Sequence, residues 1–299
     1  MDLDKHASCL VKAMEGWDPA LESLTQKPEG MFGRIAIIES STAVLRSDEL
    51  DIEFSVSFDD DLEANEAEIT IYNLSRTTLR TIEVDNPITI TAGYGDDTGV
   101  IFKGRISAVW SKWETMDKKT TIKAIDDVNV KEYDIEETAF QAGTTASYIL
   151  KTLLDKVSLP VAVFSPRRDY TYKDEVNVSG GLLGAIQKYA QVCGISVYIN
   201  KEQIYARSLS EGDNIHFDIM PETGMIGTPD EFTEEVKAED YTDIINGYKI
   251  KMLLQHRMTV AAVVGLKSNN VLGTFRVRSG KHTFTPSESI TEVEVVPNG

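Results

Sequence analysis

Apolar and polar residues alternate through much of this chain. The clearest case is Ile52, Phe54, Val56 and Phe58, apolar at every second position, the period of a strand with one buried and one wet face. Comparable runs at Arg34 to Glu39, Leu50 to Phe58, Ala67 to Leu74, Ile88 to Tyr94, Val100 to Trp110 and Thr120 to Ile125 predict six strands between residues 33 and 127. Among them Ser75 offers a hydroxyl cap for a short helix through Leu79 to Ile82. Six strands around one small helix predict a β-barrel or a tight sandwich.

The period then changes. Ala146, Ile149, Leu150, Leu153, Leu154 and Val157 share one helical face behind a cap at Thr144, and Pro160 opens a strand after them. Leu182, Ile186, Tyr189 and Cys193 mark a second helix from Gly181 that stops at Gly194. Ile195 to Ile199 and Gln203 to Arg207 then read as a hairpin, so residues 128–210 predict a small α+β domain. Residues 211–299 return to strands at Ile215 to Ile219, Tyr248 to Leu254, Thr259 to Gly265, Gly273 to Val277 and Ile290 to Val296. Between them the acidic stretch Asp230 to Asp243 reads as a solvated connection or an edge that pairs with another subunit. A short internal echo links the two β regions: Ile88, Ile90, Gly93 and Tyr94 before Gly104 to Ile106, and Val260, Ala262, Gly265 and Leu266 before Gly273 to Phe275.

Residues 1–32 differ from both patterns. Leu3, Ala7, Leu10, Met14 and Trp17 fall on one seam of a short helix that ends near Gly16 and Pro19. Leu3, Leu10, Met14 and Trp17 are candidate contacts for a partner subunit; packing on the chain's own domain or a frayed terminus accounts for the same spacing.

Composition narrows the function classes. With 41% hydrophobic and 26% charged residues in 299, the chain has the make-up of folded globular domains. Its net charge of −18 opposes specific nucleic-acid binding, which needs clustered Lys and Arg. Asp2 and Asp4 lie at the start, and no apolar run reaches the length of a membrane span, so neither secretion by a signal peptide nor stable membrane insertion is expected. Two cysteines, Cys9 and Cys193, exclude a disulfide framework within one chain and suit a reducing compartment.

No set of residues converges on chemistry. His6, His216, His256 and His282 show no metal-ligand spacing, and solvated or core histidines explain them better than a composite site from the last three. Asp59, Asp60, Asp61 and Glu63 could hold calcium, but no EF-hand pattern follows and a charged turn fits. The loop Gly93 to Gly99 lacks the Lys and Ser or Thr of a phosphate loop, and Gly180, Gly181 and Gly184 do not make a dinucleotide fingerprint. Trp110 and Trp113 could stack sugars or bases, though cover for a core or an interface is the commoner use. No catalytic residue, cofactor or metal is therefore expected. The enzymatic alternative, a peptidoglycan hydrolase using carboxylates between Glu231 and Asp243, lacks an apolar pocket to keep one acid neutral; a carbohydrate-binding module is the third reading.

Several segments together resemble the tail hub or baseplate hub proteins of phages and phage-derived injection devices, the late control protein D-like, cell-puncturing hub family. AEITIYNLSRTTLRTI (residues 67–82) followed by ITITAGYGDDTGVIFKGRIS (88–107) is similar to the hub pattern of strand, short helix, strand, Gly-Tyr turn and GxIFxGxI strand. TGMIGTPD (223–230) resembles the group's tGLIGxP turn, and Gly273 to Val277 with Lys281 and His282 its GxyrV…H ending. The likeness covers roughly 33–296; residues 1–32 have no counterpart. It implies a mainly β, α+β fold: a first tail-tube-like β-barrel at 33–127, the small α+β domain at 128–210, and a second such barrel at 211–299. It further implies a homotrimer in the virion tail baseplate, adapting the hexameric tail tube or a tube-initiator protein to a threefold central spike or tip. The tape measure protein and the baseplate wedge are further partners it implies. An acidic balance would let DNA pass through a central channel without sticking.

Overall fold

A computed structural model describes residues 33–298 except 42, 63, 127–133, 201–202, 209 and 238–240. Among these the chain is mainly β, 59% strand against 11% helix. The first region comprises β1 (Arg34–Ser40), β2 (Ala43–Arg46), β3 (Ile52–Phe58), β4 (Glu66–Tyr72), the one-turn helix α1 (Arg76–Leu79), β5 (Pro87–Tyr94), β6 (Asp97–Glu114) and β7 (Asp117–Asp126). The middle region holds β8 (Asp134–Phe140), α2 (Ala146–Leu154), β9 (Val161–Phe164), β10 (Val176–Gly181), α3 (Leu182–Val192), β11 (Ser196–Asn200) and β12 (Gln203–Arg207). The last contains β13 (Asp213–Ile219), a 3-10 turn at Pro221–Thr223, β14 (Met225–Lys237), β15 (Thr242–Leu253), β16 (Ala262–Lys267), β17 (Leu272–Phe284) and β18 (Ser289–Pro297).

Local chemistry explains the element ends. Ser75 caps α1, its hydroxyl accepting from the Thr78 N–H at 3.0 Å. α2 is capped by Thr145, whose side chain accepts from the Tyr148 N–H; Thr144, the expected cap, instead donates to the Gln141 carbonyl at 2.7 Å. Gly194 ends α3 at φ 66, a left-handed conformation that glycine adopts freely. Gly95 at φ 52 makes the tight turn between β5 and β6. Residues 230–237 of the acidic stretch belong to a long ribbon, β14 paired with β15 from Asp230↔Lys249 to Lys237↔Thr242. Carboxylates on its outer face obscure the alternation of the half-buried Phe232, Glu234 and Val236.

Both β regions belong to one 13-stranded sheet, with the order β14-β15-β18-β17-β3-β4-β7-β6-β5-β1-β2 and with β16 beside β17 and β13 beside β16. The connecting strand is β17. Its first half, Leu272 to Arg276, pairs with β16, and its second, Gly280 to Phe284, pairs with β3. β17 therefore serves both β regions, and Phe54 stacks on Phe284 at 5.3 Å across the join. Among the described residues the strand path runs open from β14 to β2 with no closed barrel.

Three cores lie within this frame. Ile38, Phe54, Ile69, Ile71, Ile90 and Ile122 fill the first, with Leu254 and Phe284 entering from the last region. Ile149, Leu150 and Leu153 of α2 meet Leu182, Ile186 and Tyr189 of α3 in the second. Ile219, Ile250, Met252, Val264, Val277 and Val295 make the third. Burial of such side chains stabilises each by roughly 1.5–3 kcal/mol relative to exposure.

Candidate assembly surface and the charged junction behind it

Where the three regions meet, the strand alternation places Arg276 in the interior with no exposed surface. Its Nη1 donates to Asp60 Oδ2 at 3.1 Å, from the loop after β3. Its guanidinium carbon lies 5.2 Å from the ring centre of Tyr198 on β11, close enough for a cation–π contact. Nε and Nη2 find no hydrogen-bond partner among the described residues. Arg278 stands two residues on, 3.5 Å from Asp60 Oδ1, and is also hydrogen-bonded to Glu234 of β14. Tyr198 accepts from Arg207 Nε at 2.9 Å, and Arg207 is paired with Asp213 at 2.5 Å. Thus one chain of charges ties the β3–β4 loop, β17, the β14–β15 ribbon and the middle region together.

Asp59 lies beside this chain. Burial, reinforced by the neighbouring Asp61 charge, pushes its carboxyl up to about 7. It borders a cleft of about 560 Å³ between α3, β11 and the β14–β15 ribbon, lined also by Asp60, Asp61, Glu234, Arg278 and Glu294.

Two ribbons project from the sheet. The β6–β7 ribbon outruns its neighbours: β5 stops pairing at Pro87↔Arg105, so residues 107–114 of β6 are paired on the β7 side only. Trp110 is exposed there, Trp113 is 71% exposed and Met116 at the tip 85% exposed. Lys112 and Lys119 stand opposite each other across the ribbon, with Glu114 2.6 Å from Lys112. The second ribbon ends the sheet: β14 has a partner in β15 alone. Its outer face carries Glu231, Thr233 and Glu235, next to the exposed Ile244 of β15.

A family model described as baseplate hub gp41 matches residues 67–272, more than two thirds of the chain. This chain belongs to the baseplate hub gp41 family. The matched span runs from β4 to the first residue of β17 and so includes the whole middle region. No curated protein matches by sequence. Among solved structures, the tail protein from Neisseria meningitidis MC58 is similar over 90% of this chain and 98% of its own, with TM-score 0.59 at 9% identity. The 43 kDa tail protein of prophage MuSo2 from Shewanella oneidensis is similar over 89% of this chain and 99% of its own, with TM-score 0.58 at 7% identity. A type VI secretion component of Escherichia coli, described as similar in structure to the T4 tail proteins gp27 and gp5, matches 88% of this chain and 77% of its own, with TM-score 0.51 at 8% identity. At such identities the likeness is one of fold. The hub chain is thus a structural component of the phage tail, located at the baseplate.

The residues singled out from sequence take these places in the hub chain. Leu3, Leu10, Met14 and Trp17 lie outside the described residues, as do His6, Cys9 and Glu63. His282 is a core residue, its Nδ1 2.8 Å from the Thr291 hydroxyl and Nε2 3.1 Å from the Met258 carbonyl oxygen, and burial pulls its basicity down to about 4. His256 packs by Asp97, 3.9 Å away, and burial and Arg257 hold it below its ordinary value. His216 sits 3.2 Å from Asp218 on β13. Among the described residues no group of three His, Cys, Asp or Glu could hold a metal, and no helix is long and apolar enough to cross a membrane. The Cys193 thiol is pushed up to about 12 by burial, which makes it a poor nucleophile. Gly181 is the N-cap of α3. Sequence reasoning passed over Arg276, since a cation between Phe275 and Val277 reads as the wet face of a strand.

Proposed function

We propose that three copies of this chain form a ring that joins the hexameric tail tube, or its initiator protein, to a threefold central spike or tip and lines the channel between them. The carrying observation is that each β region has its own core and sends out one long ribbon, β6–β7 in the first and β14–β15 in the second. Two such units per chain, 33–127 and 211–299, would present six tail-tube-like units from three chains. In this reading the barrels close only in the ring, with neighbouring copies supplying strands to edges that stand open in a single chain. Membership of the baseplate hub family supports the location.

The α+β unit at 128–210 meets the last β unit through Tyr198 and Arg207 and the first through Leu62, which lies in its core. Residues 1–32, through Leu3, Leu10, Met14 and Trp17, are the proposed docking segment for a further tail component such as the tape measure protein or the wedge. The excess of Asp and Glu over Lys and Arg, 48 against 30, suits a lumen through which a polyanion moves. The role is structural, not enzymatic: of the described carboxylates in the stretch from Glu231 to Asp243, the best alternative for a hydrolase, Glu231 and Glu235 lie exposed on β14, Glu234 is hydrogen-bonded to Arg278, and Asp243 lies 3.6 Å from Arg167 and 3.7 Å from Arg168, so none is held in apolar surroundings free of cations. The test is the mass of the purified chain in solution and its shape in negative stain. A ring of about three times 33.2 kDa is expected. A monomer that stays monomeric when mixed with the tube protein overturns the reading.

A further inference from the structure

We infer that the ring closes by strand addition between two particular edges: residues 107–114 of β6 in one copy pair with residues 230–237 of β14 in the next. This rests on the ring reading and names the surface that would carry it.

Stretches of the large sheet paired on one side only include β2, β13, β14 and residues 107–114 of β6. β2 is only four residues long. β13 and β14 are both acidic: β13 carries Asp213 and Asp218, and β14 carries Asp230, Glu231, Glu234 and Glu235 against Lys237 alone. Pairing either with itself or with the other places like charges across the join, which is destabilising. The β6–β7 ribbon is the exception. Over residues 107–119, Lys112, Lys118 and Lys119 outnumber Glu114 and Asp117, in a chain whose balance is −18.

The ribbon's geometry repeats the point. Lys112 and Lys119 face one another, an unfavourable cross-strand pair in an isolated ribbon, and Trp110 lies exposed on that same face, two residues along. Glu114, 2.6 Å from Lys112, offsets part of that charge within the ribbon. The outer face of β14 offers the complementary set: Glu231 and Glu235 at the two-residue repeat on either side of Thr233, with the exposed Ile244 opposite Glu235. Residues 107–114 and 230–237 are equal in length, and from Ala108 and Asp230 onward each runs in unbroken register with its present partner. Pro229, in the register break between Ile226 and Asp230, has no N–H to give and bounds the template there. Because the two edges differ, the contact is heterologous, which gives a ring where the rotation between copies closes and is not a twofold dimer through one edge.

The experiment measures solution mass, by ultracentrifugation, of the full chain and three variants. K112E/K119E makes the ribbon acidic, E231K/E235K makes the β14 edge basic, and the quadruple variant exchanges the charges. Each double variant is expected to weaken association at least tenfold with unchanged circular dichroism. The quadruple variant is expected to recover the oligomer, and those amides of 107–114 and 230–237 that are not bonded to β7 or β15 to exchange slowly only in the oligomeric forms. Double variants that retain the wild-type mass, or a folded quadruple variant that fails to recover it, overturn this interface while leaving the ring itself standing. A wild-type chain that is monomeric throughout removes the ring and this interface together.

Discussion

Arg276 and Asp60 meet at 3.1 Å although 216 positions separate them in sequence, and the arginine has no exposed surface. Removing one partner of a buried ion pair costs about 3–5 kcal/mol when the other charge is left buried and unpaired. Asp60→Ala does that to Arg276, whereas Arg276→Met removes the fully buried charge and leaves Asp60 with Arg278 3.5 Å away, so it costs less. Asp60→Ala is therefore expected to destabilise by about 3 kcal/mol and Arg276→Met by about 1 kcal/mol or less. Urea unfolding checks both. Since the pair joins β17 to the β3–β4 loop, Asp60→Ala should also split a single transition into two.

The join between the two β regions has a steric requirement at Gly280, which pairs with Phe58 across β17 and β3. A Cβ there would meet the Phe58 ring and come within 2.7 Å of the Glu292 carbonyl oxygen. Gly280→Ala should destabilise by about 1–3 kcal/mol, the usual range for overpacking. Gly184 in α3 is the matched control, since a Cβ added there would have nothing within 4 Å. At that position alanine should stabilise by about 0.5–1 kcal/mol, because it has the better helix propensity. Parallel denaturant curves read both.

How far these features could be read from sequence depends on where each element gets its stability. Ile52 to Phe58 is legible because one face is buried and the other wet, so the pattern carries the structure. The helix faces of Ile149 and Leu153, and of Leu182 and Ile186, are legible for the same reason. β14 is not, because an edge ribbon needs little burial and its carboxylates hide the period. The double use of β17 is illegible in principle: a run from Leu272 to Phe284 says strand, but which half meets β16 and which β3 is decided by residues far away. Arg276 depends in the same way on Asp60 and Tyr198. The proposed assembly surface is half visible, since the exposed Trp110 and Trp113 draw attention while the edge beside them, paired on one side only, is a fact of register.

Asp59 and His282 impose opposite pH dependences over nearly the same range. Asp59 goes from an ordinary 3.8 up to about 7 in the fold. The native state thus holds a proton that the unfolded chain releases, and this group's contribution is full below pH 3.8 and lost as pH rises through 7. His282 goes from 6.5 down to about 4. Here the unfolded chain takes the proton first, so the contribution is full above pH 6.5 and lost as pH falls through 4. Asp59→Asn removes the first effect and leaves the second. Its melting temperature should rise relative to wild type at about pH 7.5 and converge on wild type near pH 4, measured by calorimetry in steps of about half a pH unit. A constant offset across that range would show that Asp59 does not hold the raised value.

Thr115 turns the β6–β7 ribbon at φ 58, a left-handed conformation that a β-branched side chain adopts at a cost. It is followed by Met116, which is not among the residues of positive φ. A positive φ at the first central position alone is the pattern of a type II′ hairpin turn, where glycine is preferred. Thr115→Gly relieves about 1 kcal/mol or more of backbone strain and gives back part of that in the greater freedom of the unfolded chain. The balance is a gain of about 0.5 kcal/mol, roughly 1–2 °C in melting temperature for a protein of this size. A tighter turn also holds residues 107–114 in the strand geometry that pairing to a neighbour needs, lowering the ordering cost of association. Thr115→Gly should thus raise the melting temperature and strengthen oligomerisation together, read by calorimetry and ultracentrifugation on the same preparation. Greater thermal stability with weaker association would separate the turn from the assembly surface.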